Sequence, residues 1–205
     1  LRLGLPFVFS ALSVWILTWS DRFILNYFSG QESVGIYSLA HTLARPFDVI
    51  LYYPLTLLWF PFFFSFVVGR EPDEVKSLLR KAVTYYTIAG CSLYLVIGLG
   101  SNDLLRIFNL FFGAKQEYLQ ASGLVGLVAL APLLYSVTGL IGTSLFLVKK
   151  PEYGALGVTV AAVLNVGLDL VFIPKYGGFG AAATTAFAYT VYLGLVYTWS
   201  QRRYY

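Results

Sequence analysis

Six stretches of this sequence are apolar over nearly their whole length: residues 6–28, 34–68, 83–100, 123–148, 155–173 and 181–199. A helix needs about 20 mostly apolar residues to cross the hydrocarbon core of a bilayer. Six such stretches in one chain predict an all-α integral membrane protein, a bundle of six transmembrane helices. The composition agrees: 58% of residues are hydrophobic and 12% are charged, where a soluble domain carries about 25% charged residues.

Several function classes fall away on residue counts. The net charge of +4 forms no basic face interleaved with aromatics, and the basic residues gather at segment ends, so nucleic acid is not an expected partner. One His and one Cys cannot build the usual zinc constellations or an internal disulfide, and no cofactor is called for. Cys91 lies in an apolar run and reads as a small apolar filler. No cleavable signal peptide is visible, because the first apolar run is too long and leads into Asp21 and Arg22. The chain starts at Leu1 and holds no Met, which favours a fragment.

Punctuation between the apolar stretches sets the organisation. Residues 29–33 and 174–178 read as short turns, and 149–151 as a tight basic turn. Residues 70–81 carry Pro72 at their start and Leu78 and Leu79 on one face, and predict an amphipathic helix on the cytoplasmic surface. Residues 102–120, with Phe108, Phe111 and Phe112, predict a second interfacial segment. The long second stretch contains Pro46, Pro54 and Pro61, and each proline removes a backbone hydrogen bond and bends a helix.

Orientation follows from Lys and Arg. With the N-terminus inside, nine of them fall on the cytoplasmic side (Arg2, Arg70, Lys76, Arg80, Lys81, Lys149, Lys150, Arg202, Arg203) and three outside (Arg106, Lys115, Lys175). The bias predicts a multi-pass protein of the cell membrane with both ends of this segment cytoplasmic.

Charged groups inside a membrane usually face a bundle interior or a wet path. His41, Arg45 and Asp48 are spaced i, i+4, i+7, and Tyr37 and Tyr52 extend the same helical face. Arg45 falls about 16 Å from the outer end at 1.5 Å per residue, and Asp21 and Arg22 about 10 Å. One reading is a cationic cavity site for phosphate, suited to the planar fork of guanidinium. The other is an internal ion pair, Asp21 with Arg45 or Asp48 with Arg45, that orients two helices. His41 could relay protons or make a structural hydrogen bond. Asn165 and Asp169, i and i+4 on one face, could hold a coupling ion or simply meet solvent near the outer interface. Thr185, Tyr189 and Tyr192 form a further polar stripe, and Gly139, Gly142 and Ala181–Ala183 allow close helix contact.

Two runs carry a resemblance. Leu164-Asn165, an apolar run to Ile173-Pro174, then Tyr176-Gly177 and Gly180-Ala181-Ala182 resemble a hallmark of Wzx-type polysaccharide (O-antigen) flippases. Ser20 to Leu25, followed by Val34 to Ala40, is similar to the start of the C-terminal lobe of the same family. These lipid-linked oligosaccharide flippases belong to the multidrug/oligosaccharidyl-lipid/polysaccharide superfamily. The resemblance implies one lobe of a two-lobed transporter of 12 to 14 helices, with the N-terminal lobe as its partner. It implies alternating access, flipping of undecaprenyl-pyrophosphate-linked oligosaccharide and a lipid tail left in the bilayer. By motif position, Asp21, Arg22 and Arg45 are the implied cavity residues, with His41, Asp48, Tyr37 and Tyr52 beside them.

Three alternatives stand beside it. A cation-coupled drug or toxin antiporter of the same superfamily would want acids in its cavity. A membrane enzyme would need exposed paired carboxylates or a second His, which the sequence lacks. A non-transporting membrane subunit would need no cavity chemistry.

Overall fold

A computed structural model describes residues 4–113 and 121–204. Arg2, Lys115 and the end of the 102–120 segment lie outside the described residues. Every described element is helical: α1 (Gly4–Ala44), two π-helical turns (Asp48–Tyr52 and Leu55–Trp59), α2 (Phe60–Val67), α3 (Pro72–Leu99), α4 (Ser101–Phe112), α5 (Ser122–Leu147) and α6 (Glu152–Arg203). Four helical runs are long and apolar enough to cross a membrane: Val8–Val67, Pro72–Leu99, Ser122–Leu147 and Glu152–Arg203.

The six separate helices expected from hydropathy are therefore not six separate elements. The stretches 6–28 and 34–68 belong to one helical run, and 155–173 and 181–199 to another, because the turns between them stay helical on both sides of a single glycine. Gly30 (φ 77°, ψ 174°) breaks α1 and Gly177 (φ 54°, ψ −133°) breaks α6. A side chain is strained at such φ values, so glycine makes a sharp reversal here without a loop. The reversal is real in space. Tyr37 donates to Asp21 at 2.5 Å, though 16 residues along a straight helix would separate them by about 24 Å. In α6, Asn165 bonds Thr185 at 3.3 Å and the guanidinium of Arg203 donates to the Tyr153 hydroxyl at 2.8 Å.

The proline-rich stretch stays helical but bent within the single run Val8–Val67. α1 ends at Ala44, and Pro46, which has no N–H, leaves Arg45 N to close on the Thr42 carbonyl at 3.2 Å. Beyond it the backbone widens into two π turns, with Tyr53 N reaching back five residues to the Asp48 carbonyl. Prolines 54 and 61 sit where the π turns and α2 begin, so the missing donors fall at element boundaries. The segment 70–81 is not a separate surface helix. It is the first part of α3, which starts at Pro72 with Asp73 and Glu74 in its first turn, where acids suit the helix dipole. Cys91 is exposed rather than a buried filler.

The packing is inside-out by the standard of a water-soluble domain. Trp15, Phe23, Leu57, Val96, Leu110, Val163 and Val171 are exposed, whereas Asp21, Asn165, Asp169, Thr184 and Thr185 are buried. An apolar surface over a partly polar interior fits lipid as the solvent. The core runs through Leu25, Tyr37, Phe47, Val125, Ala129, Ile173 and Ala181. α6 packs against α1 and α5, and α3 packs against α5. One end of the bundle gathers the two glycine turns, with Ser29 beside Gly177 and Phe179 beside Gly123. The other gathers the start of α3, the turn before α6 and the chain's last residues, with Lys76 over Tyr204 and Arg203 over Tyr153.

Candidate functional site

α1 reverses at Gly30 and thereby lays Asp21, on its first arm, against Tyr37 and His41 on its second. Asp21 is 1% exposed. One carboxylate oxygen accepts the Tyr37 hydroxyl at 2.5 Å and the other accepts the Arg22 backbone N–H at 2.7 Å. The Tyr37 ring meets the His41 ring edge-on at 4.7 Å. A cavity of about 260 Å³ opens here, lined by Asp21, His41, Asp48, Tyr52, Thr185 and Tyr189, with Thr18, Val128, Pro132 and Tyr135. Pro132 lies inside α5 and has no N–H to close on the Val128 carbonyl. The cavity therefore borders a backbone oxygen without its usual helical donor.

Behind Thr185 lies a second polar layer. Asn165 and Asp169 are fully buried on the first arm of α6. Thr184 hydrogen-bonds Asp169, and the Asn165 amide donates to Thr185 at 3.3 Å. The other oxygens, Asp169 Oδ2 and Asn165 Oδ1, are buried without a hydrogen-bond partner, as is His41 Nε2. A buried polar atom left unpaired costs about 1–3 kcal/mol. Thr185, which lines the cavity with Asp21, joins the two layers through its bond to Asn165. The combination of two carboxylates, an amide oxygen and two threonine hydroxyls is a set of hard oxygen donors. Such donors suit a hard cation or a proton, not a soft metal. Among the described residues no three His, Cys, Asp or Glu side chains gather as a metal site.

Four of the five residues on the expected stripe converge here. His41, Asp48 and Tyr52 line the cavity and Tyr37 closes one wall through Asp21. Arg45 does not join them: it is exposed and does not line the cavity. The i, i+4, i+7 spacing holds only for an unbroken α-helix, and the turn at Arg45 followed by π-helical geometry shifts the register. Asp169 and Asn165 are buried in the bundle rather than solvated near an interface. Of the two ion pairs weighed for Arg45, the one with Asp21 is absent. Asp21 is paired with its neighbour Arg22 at 3.6 Å instead. Arg22 is further engaged by the Thr18 carbonyl at 2.6 Å and lies 4.7 Å from the Trp19 ring centroid.

Sequence reasoning missed Tyr135 and Thr184, and the cavity also takes in Thr185 and Tyr189 of the further polar stripe. Tyr135 sits 5.4 Å from Tyr52, 5.7 Å from Tyr189 and 6.4 Å from Tyr192, centroid to centroid. It lines both the polar cavity and a neighbouring one of about 190 Å³ that reaches Ser10, Pro151 and Gly154. The available signal was Thr184 and Thr185 beside the small-residue turn that opens the last arm, where hydroxyls meet a facing Asn-x-x-x-Asp.

Comparison with known proteins finds two likenesses. The family described as "Polysaccharide biosynthesis protein" matches residues 1–67. Over 184 residues, 90% of the chain, the sequence is 25% identical to the probable low-salt glycan biosynthesis flippase Agl15 of Haloferax volcanii. The chain spans 38% of the length of that relative. No solved structure matches.

Proposed function

We propose that this chain is the C-terminal lobe of a two-lobed membrane transporter. It flips an undecaprenyl-pyrophosphate-linked oligosaccharide across the cell membrane for polysaccharide export, and it is not an enzyme. The observation that carries the reading is the buried set of Asp21, Asn165, Asp169 and Thr185 beside a polar cavity, inside a bundle with an apolar surface. Buried oxygens without a protein partner inside a membrane bundle are candidate sites for a proton, an ion or a water. These residues hold a coupling ion, a proton or a hard cation, whose entry and release bias the lobe between inward-open and outward-open states. The glycan class rests on the likeness to a glycan flippase along most of the chain.

Counted with each folded-back run as two crossings, the chain spans the membrane six times. The basic end, with Arg70, Lys76, Lys149 and Arg203, then lies in the cytoplasm. Arg45, exposed at the break after α1, is the cation this lobe offers to the anionic head group in the space facing the second lobe. Arg22, held by Asp21 and Thr18, orients the acid that faces the cavity.

One observation favours a second reading. Among the described residues the polar cavity is lined by Asp21 and Asp48 and by no Arg or Lys, which also suits a cationic substrate, as in a drug or toxin antiporter. The separating experiment restores the full-length gene in a strain lacking its own flippase and scores both surface polysaccharide and resistance to cationic drugs. Export by wild type, lost in Asp169→Ala and Arg45→Ala at equal membrane expression, supports the flippase. Drug resistance without export replaces it with the antiporter.

A further inference from the structure

The basic end of the bundle holds a pocket of about 280 Å³ between α3, α5 and α6 that plays no part in the site above. Leu79, Val83 and Ile141 line its apolar side, and Arg80, Thr84 and Gln201 its polar side. Its level is set by the sequence. The apolar stretch of α3 begins at Val83, three residues after Arg80, and that of α6 ends at Trp199, two residues before Gln201. Both helices leave the hydrocarbon band at this pocket, which is where lipid head groups start. Tyr153 and Trp199, 5.3 Å apart, mark the same level, as interfacial aromatics do.

Of the other arginines of this end, Arg70 pairs with Glu74 at 3.3 Å and Arg203 bonds Tyr153, while Arg202 is exposed and does not line the pocket. The guanidinium of Arg80 has no hydrogen bond or ion pair among the described residues. The Thr84 hydroxyl donates to the Arg80 carbonyl at 2.8 Å, and the Ser200 hydroxyl is 2.7 Å from that of Ser144. The donors at the pocket without a partner among the described residues are thus the guanidinium of Arg80, the amide of Gln201 and the hydroxyl of Tyr197. Nearby charge is positive on balance, with Lys76 and Lys81 on α3, while Glu152 is engaged by Lys150 at 3.4 Å. A free planar guanidinium and an amide beside an apolar wall complement a phosphodiester whose acyl chains run into the bilayer.

We infer that the pocket formed by Arg80, Thr84 and Gln201 binds the phosphate of an anionic glycerophospholipid from the surrounding leaflet. The site does not depend on what the protein transports. The phosphate of a polyprenyl carrier shares the chemistry, so the test has an arm for each source.

The test titrates the full-length protein, purified in detergent, with phosphatidylglycerol, phosphatidylcholine or undecaprenyl phosphate, and counts bound lipid by native mass spectrometry. Wild type is expected to bind phosphatidylglycerol in preference to phosphatidylcholine. Arg80→Gln should weaken phosphatidylglycerol binding about tenfold, the scale of one lost charge-assisted pair. Arg70→Gln removes the same unit of charge from the same end and should change it by less than about twofold, because that charge is already paired. Equal losses in the two variants would mean diffuse surface charge and overturn the site. So would an absence of preference between the two phospholipids, or an unaffected Arg80→Gln. Undecaprenyl phosphate bound more tightly than phosphatidylglycerol, and in an Arg80-dependent way, would overturn the assigned occupant.

Discussion

The Tyr37–Asp21 bond both closes the α1 reversal and supplies the cavity acid with a donor, so its removal should be visible in stability. Tyr37→Phe keeps the ring, its burial and its edge-on contact with His41. It removes the one donor to Asp21 Oδ2, leaving the Arg22 backbone N–H on the other oxygen. A hydrogen bond to a charged group contributes about 1.5–3 kcal/mol, and Asp21, at 1% exposure, has little water to replace it. The expected loss is about 2 kcal/mol. For a domain of this size that corresponds to a fall in Tm of about 4–8 °C, and to proportionally less in a longer chain. The assay is thermal unfolding of the detergent-purified full-length protein. Tyr27→Phe, at an 82% exposed position, serves as the control and should not shift. A Tyr37→Phe melting point within about 1 °C of wild type would refute the claim that this bond fastens the two arms.

Other consequences follow from the same coordinates. A Cβ at Gly180 would sit 2.7 Å from the Phe172 carbonyl oxygen and 3.1 Å from the Ile173 nitrogen. Backbone cannot yield as a side chain does, so Gly180→Ala should cost about 1–3 kcal/mol in the same melt. Gly154→Ala, where a Cβ meets nothing within 4 Å, should stay within about 0.5 kcal/mol. Ser200→Ala deprives the Ser144 hydroxyl of its buried neighbour at 2.7 Å and should cost about 1 kcal/mol, read by denaturant midpoint. Cys91 is exposed in the middle of an apolar run; a sulfonated thiol reagent should fail to label it in intact membranes and label it after denaturation.

Much of this molecule is legible in its sequence, for identifiable reasons. Apolar length located the four long helical runs, because lipid forces the backbone to satisfy itself helically. The stripe of Tyr37, His41, Asp48 and Tyr52, and the pair Asn165 and Asp169, were visible because charge and polarity are scarce in such a chain. Two things were hidden. Hydropathy cannot show that a turn remains helical, so Gly30 and Gly177 read as ordinary loops although each is a single-residue reversal. Helical periodicity also assumes 3.6 residues per turn. Pro46 and the π turns after it break that assumption, and Arg45 left the stripe on which it was counted while Asp48 and Tyr52 returned to it. Thr184 and Tyr135 escaped notice because their roles come from the arms brought beside them, Asp169 for one and Tyr52, Tyr189 and Tyr192 for the other.

Whether the buried acids drive transport can be read from lipid-linked glycan movement in membrane vesicles holding the full-length protein, with sodium and proton gradients imposed or collapsed one at a time. Wild type should move the glycan faster under one of the two gradients, and Asp169→Asn, matched for expression, should be slow and indifferent to both. Equal rates for wild type and variant, or a wild type unmoved by either gradient, would contradict a coupling role for Asp169 and its neighbours.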